Sequence, residues 1–139
     1  MTSTIKYKPK NLGFMVKSLL IAGVGGFLGT AFRFLVSRYI QVSYISAFPW
    51  GTFIVNILGS LLIGIFFGLS EKGNLMSPEW RIFLTVGICG GFTTFSSFSN
   101  DAFMLLQNKD WLRFIIYPTF SFFLGLVAVF LGRALIKLL

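Results

Sequence analysis

Histidine is missing from this sequence, cysteine occurs once at Cys89, and only four residues are Asp or Glu. Without histidine, Ser–His and Cys–His catalysis and His-ligated metal centres have no members. A single cysteine excludes an intramolecular disulfide framework. Even with twelve Lys and Arg, charged residues make up 12% of the chain, about half the share usual in soluble domains. What is abundant is apolar: 55% of the 139 residues are AVILMFWYC, eighteen of them Phe. A water-soluble body of this composition would expose apolar patches far beyond the few hundred Å² that monomers tolerate. Disorder needs the opposite balance, low hydrophobicity and high charge.

A membrane span takes about 20 mostly apolar residues. Four such stretches are present, approximately Ser18–Arg38, Gly51–Ser70, Ile82–Leu106 and Phe114–Leu135. Between them lie short polar connections with turn chemistry: Ser43 to Pro49, Glu71-Lys72-Gly73-Asn74 with Ser77-Pro78, and Gln107-Asn108-Lys109-Asp110. Trp50, Trp80 and Trp111 each stand at a span edge, where an indole buries its ring and wets its N–H at headgroup level. Residues 1–17 carry Lys6, Lys8, Lys10 and Lys17 with no acid, and read as a basic juxtamembrane arm. No small-residue cleavage pattern follows the arm, and three more spans come after the first, so a cleaved signal peptide is not expected. The expectation is an all-α membrane protein with one four-span domain at 18–139, embedded in the lipid bilayer of the cell membrane, with no nucleic-acid partner.

Polar groups inside a bilayer are costly and mark packing or a pathway. The second span holds Thr52, Asn56 and Ser60 at four-residue intervals, hence on one helix face. This stripe reads equally as close helix packing and as a polar track. The third span contains Gly90-Gly91-Phe92-Thr93-Thr94-Phe95-Ser96-Ser97-Phe98-Ser99-Asn100-Asp101. Paired glycines invite a break and hydroxyls can bond the backbone it releases, so the third helix is expected to be broken at its centre. Such backbone is tolerated at membrane depth only inside protein or beside a water-filled cavity, where its carbonyls can face a cation.

At helical spacing Thr93, Ser96, Ser97 and Asn100 share one sector of about 100°, with Phe95 and Phe98 on the other side. Arg33 lies inside the first span, and Asp101 ends the polar segment of the third. A lining of Asn amide N–H, Ser and Thr O–H and the positive edges of Phe rings can replace the hydration of a small anion without trapping it. That chemistry points to anion permeation and leaves the anion open.

The run Gly90-Gly91-Phe92-Thr93-Thr94-Phe95-Ser96-Ser97-Phe98-Ser99 resembles the signature of the Fluc/CrcB family of fluoride channels. The similarity extends to Gly25-Gly26-Phe27-Leu28-Gly29-Thr30-Ala31-Phe32-Arg33 and to Pro49-Trp50-Gly51-Thr52-Phe53-Ile54-Val55-Asn56. The resemblance implies an antiparallel, dual-topology dimer with two fluoride pores. Phe95 and Phe98 would line the ion path with their ring edges, Asn56 would be the pore amide, and Thr52 and Ser97 would belong to the polar track. Arg33 would match the vestibule arginine, and Asp101 stands where the family often has Glu. Tyr117 and Ser121 have the spacing of a pore tyrosine and serine, with Pro118 between them. A structural Na+ that is not transported would be held by the backbone carbonyls of Gly90 and Thr93 from both subunits.

A small proton-coupled exporter also fits four spans, but coupling needs an ionisable group at depth, and the first, second and fourth spans contain no Asp or Glu. An enzyme lacks a general base to accompany the serines. A purely structural subunit would not need Asn56 together with the Gly-Gly-Phe-Thr-Thr segment. Four spans place Lys6, Lys8, Lys10, Lys17, Lys72, Arg81, Arg133 and Lys137 on one side and Arg38, Lys109 and Arg113 on the other. Eight against three favours both termini inside. The expected partner is therefore a related subunit of opposite bias, with a second copy of this chain as the alternative.

Overall fold

The structure, a computed structural model, describes residues 11–73 and 75–139. Lys6, Lys8 and Lys10 of the basic arm lie outside the described residues. Four helical spans are long and apolar enough to cross a membrane: Leu12–Ser43, Trp50–Glu71, Pro78–Gln107 and Trp111–Leu138. The shortest has 22 residues, which at 1.5 Å per residue reaches about 33 Å and crosses the hydrocarbon core. We name Leu12–Ser43 α1 and Trp50–Glu71 α2. The third span is assembled from α3 (Pro78–Arg81), a π-helical stretch Ile82–Cys89, α4 (Gly90–Phe92) and α5 (Phe95–Gln107); α6 is Trp111–Leu138.

Every helix runs past the boundary that the apolar residues mark, because helices continue into the headgroup layer where polar residues are solvated. Leu12 to Lys17, part of the basic arm in the sequence reading, form the first turns of α1. Two of the three connections cap the helix that follows, while Pro49 before α2 offers no side-chain cap. Ser77 accepts a hydrogen bond from the Trp80 N–H at 3.3 Å with Pro78 at the first helical position. Asp110 accepts from the Arg113 N–H at 3.2 Å and pairs with its guanidinium at 2.6 Å, which holds the Asp110 carboxyl below the usual carboxylate range. α6 continues through Pro118.

Ion pairs identify the end that holds the basic residues. Lys17 meets Glu79 and Arg133 meets Glu71, both at 3.1 Å, and Lys72 donates to the Ile136 carbonyl at 3.1 Å. Arg81 and Arg133 both approach the Phe67 ring, at 5.3 and 5.6 Å from its centroid. The described members of the larger charge group thus converge on one membrane face.

Packing follows two seams, α2 on α6 and α1 on the first half of the third span. Leu19, Phe27 and Phe130 leave 70% or more of their surface exposed, which suits lipid or a partner subunit and not water. With no hydrophobic drive between helices in lipid, close backbone approach supplies the adhesion. A Cβ on Gly25 would stand 2.6 Å from the Phe83 carbonyl oxygen, and one on Gly29 would strike that of Ile88. Gly64 and Gly132 repeat this against Val129 and Leu61 backbone in the α2–α6 seam. Gly29→Ala is expected to destabilise the fold by about 1–3 kcal/mol through overpacking. Gly23 has nothing within 4 Å, and Gly23→Ala is expected to stabilise its helix by roughly 0.5–1 kcal/mol. Thermal unfolding in detergent checks the pair, and equal behaviour of the two variants contradicts the seam.

Candidate functional site

The third span breaks at Thr93 and Thr94, which are extended at φ −84°, ψ 158° and φ −151°, ψ 118°. The expected break is present, but two residues beyond the glycines. Gly90 is helical at φ −62°, ψ −38°, and a Cβ on Gly91 would collide with the Gly26 carbonyl, so Gly91 serves the α1 seam. Because the chain turns between Thr93 and Ser96, Thr93 does not share a helix face with Ser96, Ser97 and Asn100.

The Thr93 N–H and both backbone groups of Thr94 have named partners. Thr94 N–H donates to Asn56 Oδ1 at 2.8 Å, while Asn56 Nδ2 donates to the Thr94 carbonyl at 3.1 Å. One amide therefore closes both polar groups of one extended residue, in the manner of a paired strand. Thr94 Oγ1 accepts from the Ser97 N–H at 3.2 Å and caps α5. Upstream, the Cys89 carbonyl accepts from the Thr93 N–H and from its hydroxyl, both at 2.9 Å. Gly59 lets the break lie against α2, since a Cβ there would strike Thr93 Cγ2.

Among the carbonyls that lose their helical donors as a consequence are those of Gly90 and Thr93. Gly90 C=O would take the Thr94 N–H in an unbroken helix, but that N–H goes to Asn56. Thr93 C=O would take the Ser97 N–H, but that goes to the Thr94 hydroxyl. Gly90 is also exposed on the subunit surface. Released carbonyl oxygens of this kind are the donor type that suits a hard cation.

From the stripe on α2, Thr52 donates to Asp101 Oδ2 at 2.6 Å, Asn56 holds the break, and Ser60 bonds back to the Asn56 carbonyl at 2.7 Å. Two members thus reach the third span and one stays local. Phe95 and Phe98 stack with centroids 5.7 Å apart, but they face different ways: Phe95 is 79% exposed, while Phe98 packs 5.1 Å from the Tyr117 ring. The Tyr117 side chain is completely enclosed. Its hydroxyl faces Thr52 and Asp101 but meets neither in hydrogen-bonding geometry. The Ser121 hydroxyl is likewise buried and without a partner among the described residues.

Eight of the nine proposed pathway residues divide between three cavities, and the enclosed Tyr117 lines none of these. A groove of about 390 Å³ is lined by Asn56, Thr93, Thr94, Phe95, Phe98 and Ser121. On the α1 side, a cavity of about 280 Å³ gathers Thr30, Arg33, Thr52, Thr94 and Ser97. It shares Phe34, Ser37 and Thr52 with a mouth of about 400 Å³ that reaches Arg38, Asp101 and Asn108. Thr94 borders both sides of the break.

The sequence reading singled out neither Thr94 nor Phe48. Thr94 is legible as a helix cap from Thr-x-x-Ser, though its backbone bond to Asn56 is not. Phe48, from the α1–α2 connection, is buried edge-on against Tyr117 at 5.5 Å and 86°, a contact that no local pattern announces.

Comparison with known proteins falls on the same segments. Residues 20–133 match the family described as CrcB-like protein, Camphor Resistance (CrcB). A fluoride-specific ion channel FluC of Flavobacterium psychrophilum is 44% identical over 122 residues, covering 88% of this chain and 98% of the relative. The FluC of Bacteroides fragilis is 47% identical over 120 residues, 84% of this chain and 94% of that protein. That of Shewanella baltica is 38% identical over 121 residues, 87% and 97%. The match spans all four helices, including the broken third, and the chain belongs to the CrcB/FluC family of fluoride channels.

Proposed function

We propose that this chain is a fluoride-specific ion channel of the cell membrane that lets fluoride leave the cytoplasm passively, and that it is not an enzyme. The observation that carries the reading is the Asn56–Thr94 closure of the broken third span. It presents hydroxyls and ring edges along grooves at membrane depth without a buried lysine. Fluoride enters acidic surroundings as neutral hydrogen fluoride, ionises in the less acidic cytoplasm and runs out down its own gradient.

A dehydrating fluoride needs donors that are not already engaged. The Ser121 hydroxyl borders the groove without a protein partner among the described residues, so it can turn its O–H to the ion, while the enclosed Tyr117 backs Phe98 with its hydroxyl toward Thr52 and Asp101. Asn56 retains a second amide N–H besides the one held by the Thr94 carbonyl. Phe95 and Phe98 offer ring edges. Thr52, Ser97, Arg33 and Asp101 line the polar track on the α1 side. Because Phe95 stands largely exposed and Gly90 faces outward, the pathway is completed by a second subunit in antiparallel orientation. The loop charge count supports a related subunit of opposite bias, with the basic arm 1–17 as the orienting segment and a second copy of this chain as the alternative. When bound, Na+ at the Gly90 and Thr93 carbonyls supplies positive charge that offsets their repulsion at the dimer centre.

Liposomes loaded with potassium fluoride are expected to discharge through the reconstituted protein, and potassium chloride liposomes are not; equal discharge defeats the selectivity. Phe95→Ile and Phe98→Ile keep the bulk and remove the ring quadrupole. Each is expected to lower fluoride flux about two- to tenfold with assembly retained, from an aromatic edge worth about 0.5–1.5 kcal/mol. Unchanged flux in both would return these rings to packing. Replacing Na+ by K+ or Li+ is expected to lower the melting temperature of the assembled protein; an identical melting temperature in all three argues against the sodium site.

A further inference from the structure

Arg38 lies one and a half turns beyond Arg33 on α1 and lines the mouth of about 400 Å³ that opens into the Arg33 cavity through Phe34, Ser37 and Thr52. The donors in this mouth are largely spent. Ser37 Oγ donates to the Phe34 carbonyl at 3.4 Å and Thr52 Oγ1 to Asp101 at 2.6 Å. Gln41 Nε2 donates to the Ser46 carbonyl at 3.3 Å, while Gln41 Oε1 accepts from the Gly51 N–H at 3.4 Å. Arg38 is exposed, and no ion pair or hydrogen bond engages its guanidinium among the described residues.

The same mouth holds Asp101, whose carboxylate repels an approaching anion. The Thr52 hydroxyl hydrogen-bonds that charge but does not neutralise it. Among the described residues, Arg38 is the one cationic group lining the mouth. Resting on the fluoride-channel reading above, we propose that Arg38 is the capture residue of this mouth. It offsets Asp101, concentrates fluoride at the entrance and hands it to Thr52 and Arg33, without belonging to the narrow path itself. A group acting through water at this range works by charge, so lysine suffices in its place. The effect is long-range, so salt abolishes it: the screening length falls from about 30 Å at 0.01 M to about 10 Å at 0.1 M.

The experiment compares wild type, Arg38→Gln and Arg38→Lys in liposomes, with ionic strength set by an impermeant salt. One unit charge acting through water over about 1 nm changes local anion concentration about two- to threefold. Arg38→Gln is therefore expected to lower the initial fluoride flux about two- to threefold at 10 mM total salt and not at 300 mM. Arg38→Lys is expected to match wild type at both. Discharge by the wild type in the same batch tests the channel reading, and the ratio of variant to wild type tests Arg38. An Arg38→Gln deficit of equal size at both salts would assign Arg38 to folding or to the path and overturn the proposal. So would no deficit at either salt, or failure of Arg38→Lys to restore the flux.

Discussion

The satisfaction of backbone polar groups in a medium without water is the constraint on which this structure depends. A break in a membrane helix frees N–H and C=O groups that cost several kcal/mol each if left in hydrocarbon. Here the amide of Asn56 answers both groups of Thr94, and the hydroxyls of Thr93 and Thr94 answer the flanking turns. The diversion of the Thr94 and Ser97 N–H groups is also what releases the Gly90 and Thr93 carbonyls. The element that stabilises the break thereby creates polar surface at membrane depth.

Close helix approach makes that closure possible. Asn56 is a short side chain, and it reaches the third span because Gly59 admits Thr93 against α2. On the opposite side, Gly25, Gly29, Gly87 and Gly91 bring α1 onto the first half of the third span at backbone contact. The glycines thus act through distance between helices, not through backbone freedom. Their spacing fixes how far Arg33 on α1 stands from Thr94 and Ser97 across the cavity they share.

Charge is sorted by the same architecture. One membrane face collects Lys17, Lys72, Arg81 and Arg133, tied to Glu71, Glu79 and the end of α6. Toward the other face lies the Arg38 and Asp101 mouth. The charges of the first group meet carboxylates, a carbonyl and an aromatic ring. The second holds Arg38 without an ion pair among the described residues.

The number of spans, their approximate limits, the tryptophan edges and a break in the third helix were all legible in the sequence, because lipid imposes a length and a composition on anything that crosses it. The family was legible for a related reason: the Gly-Gly-Phe-Thr-Thr-Phe run concentrates residues that an ordinary lipid-facing helix avoids. Helix periodicity placed Thr52, Asn56 and Ser60 on one face but not which of them would reach across, since that depends on the neighbour's distance. Only the tertiary structure moved the break from the glycines to the threonines, turned Phe95 outward and Phe98 onto Tyr117, and set Phe48 beneath them. These outcomes rest on contacts between residues far apart in the chain. Local pattern records what a segment prefers, whereas the partner that completes a hydrogen bond or fills a groove is chosen by packing.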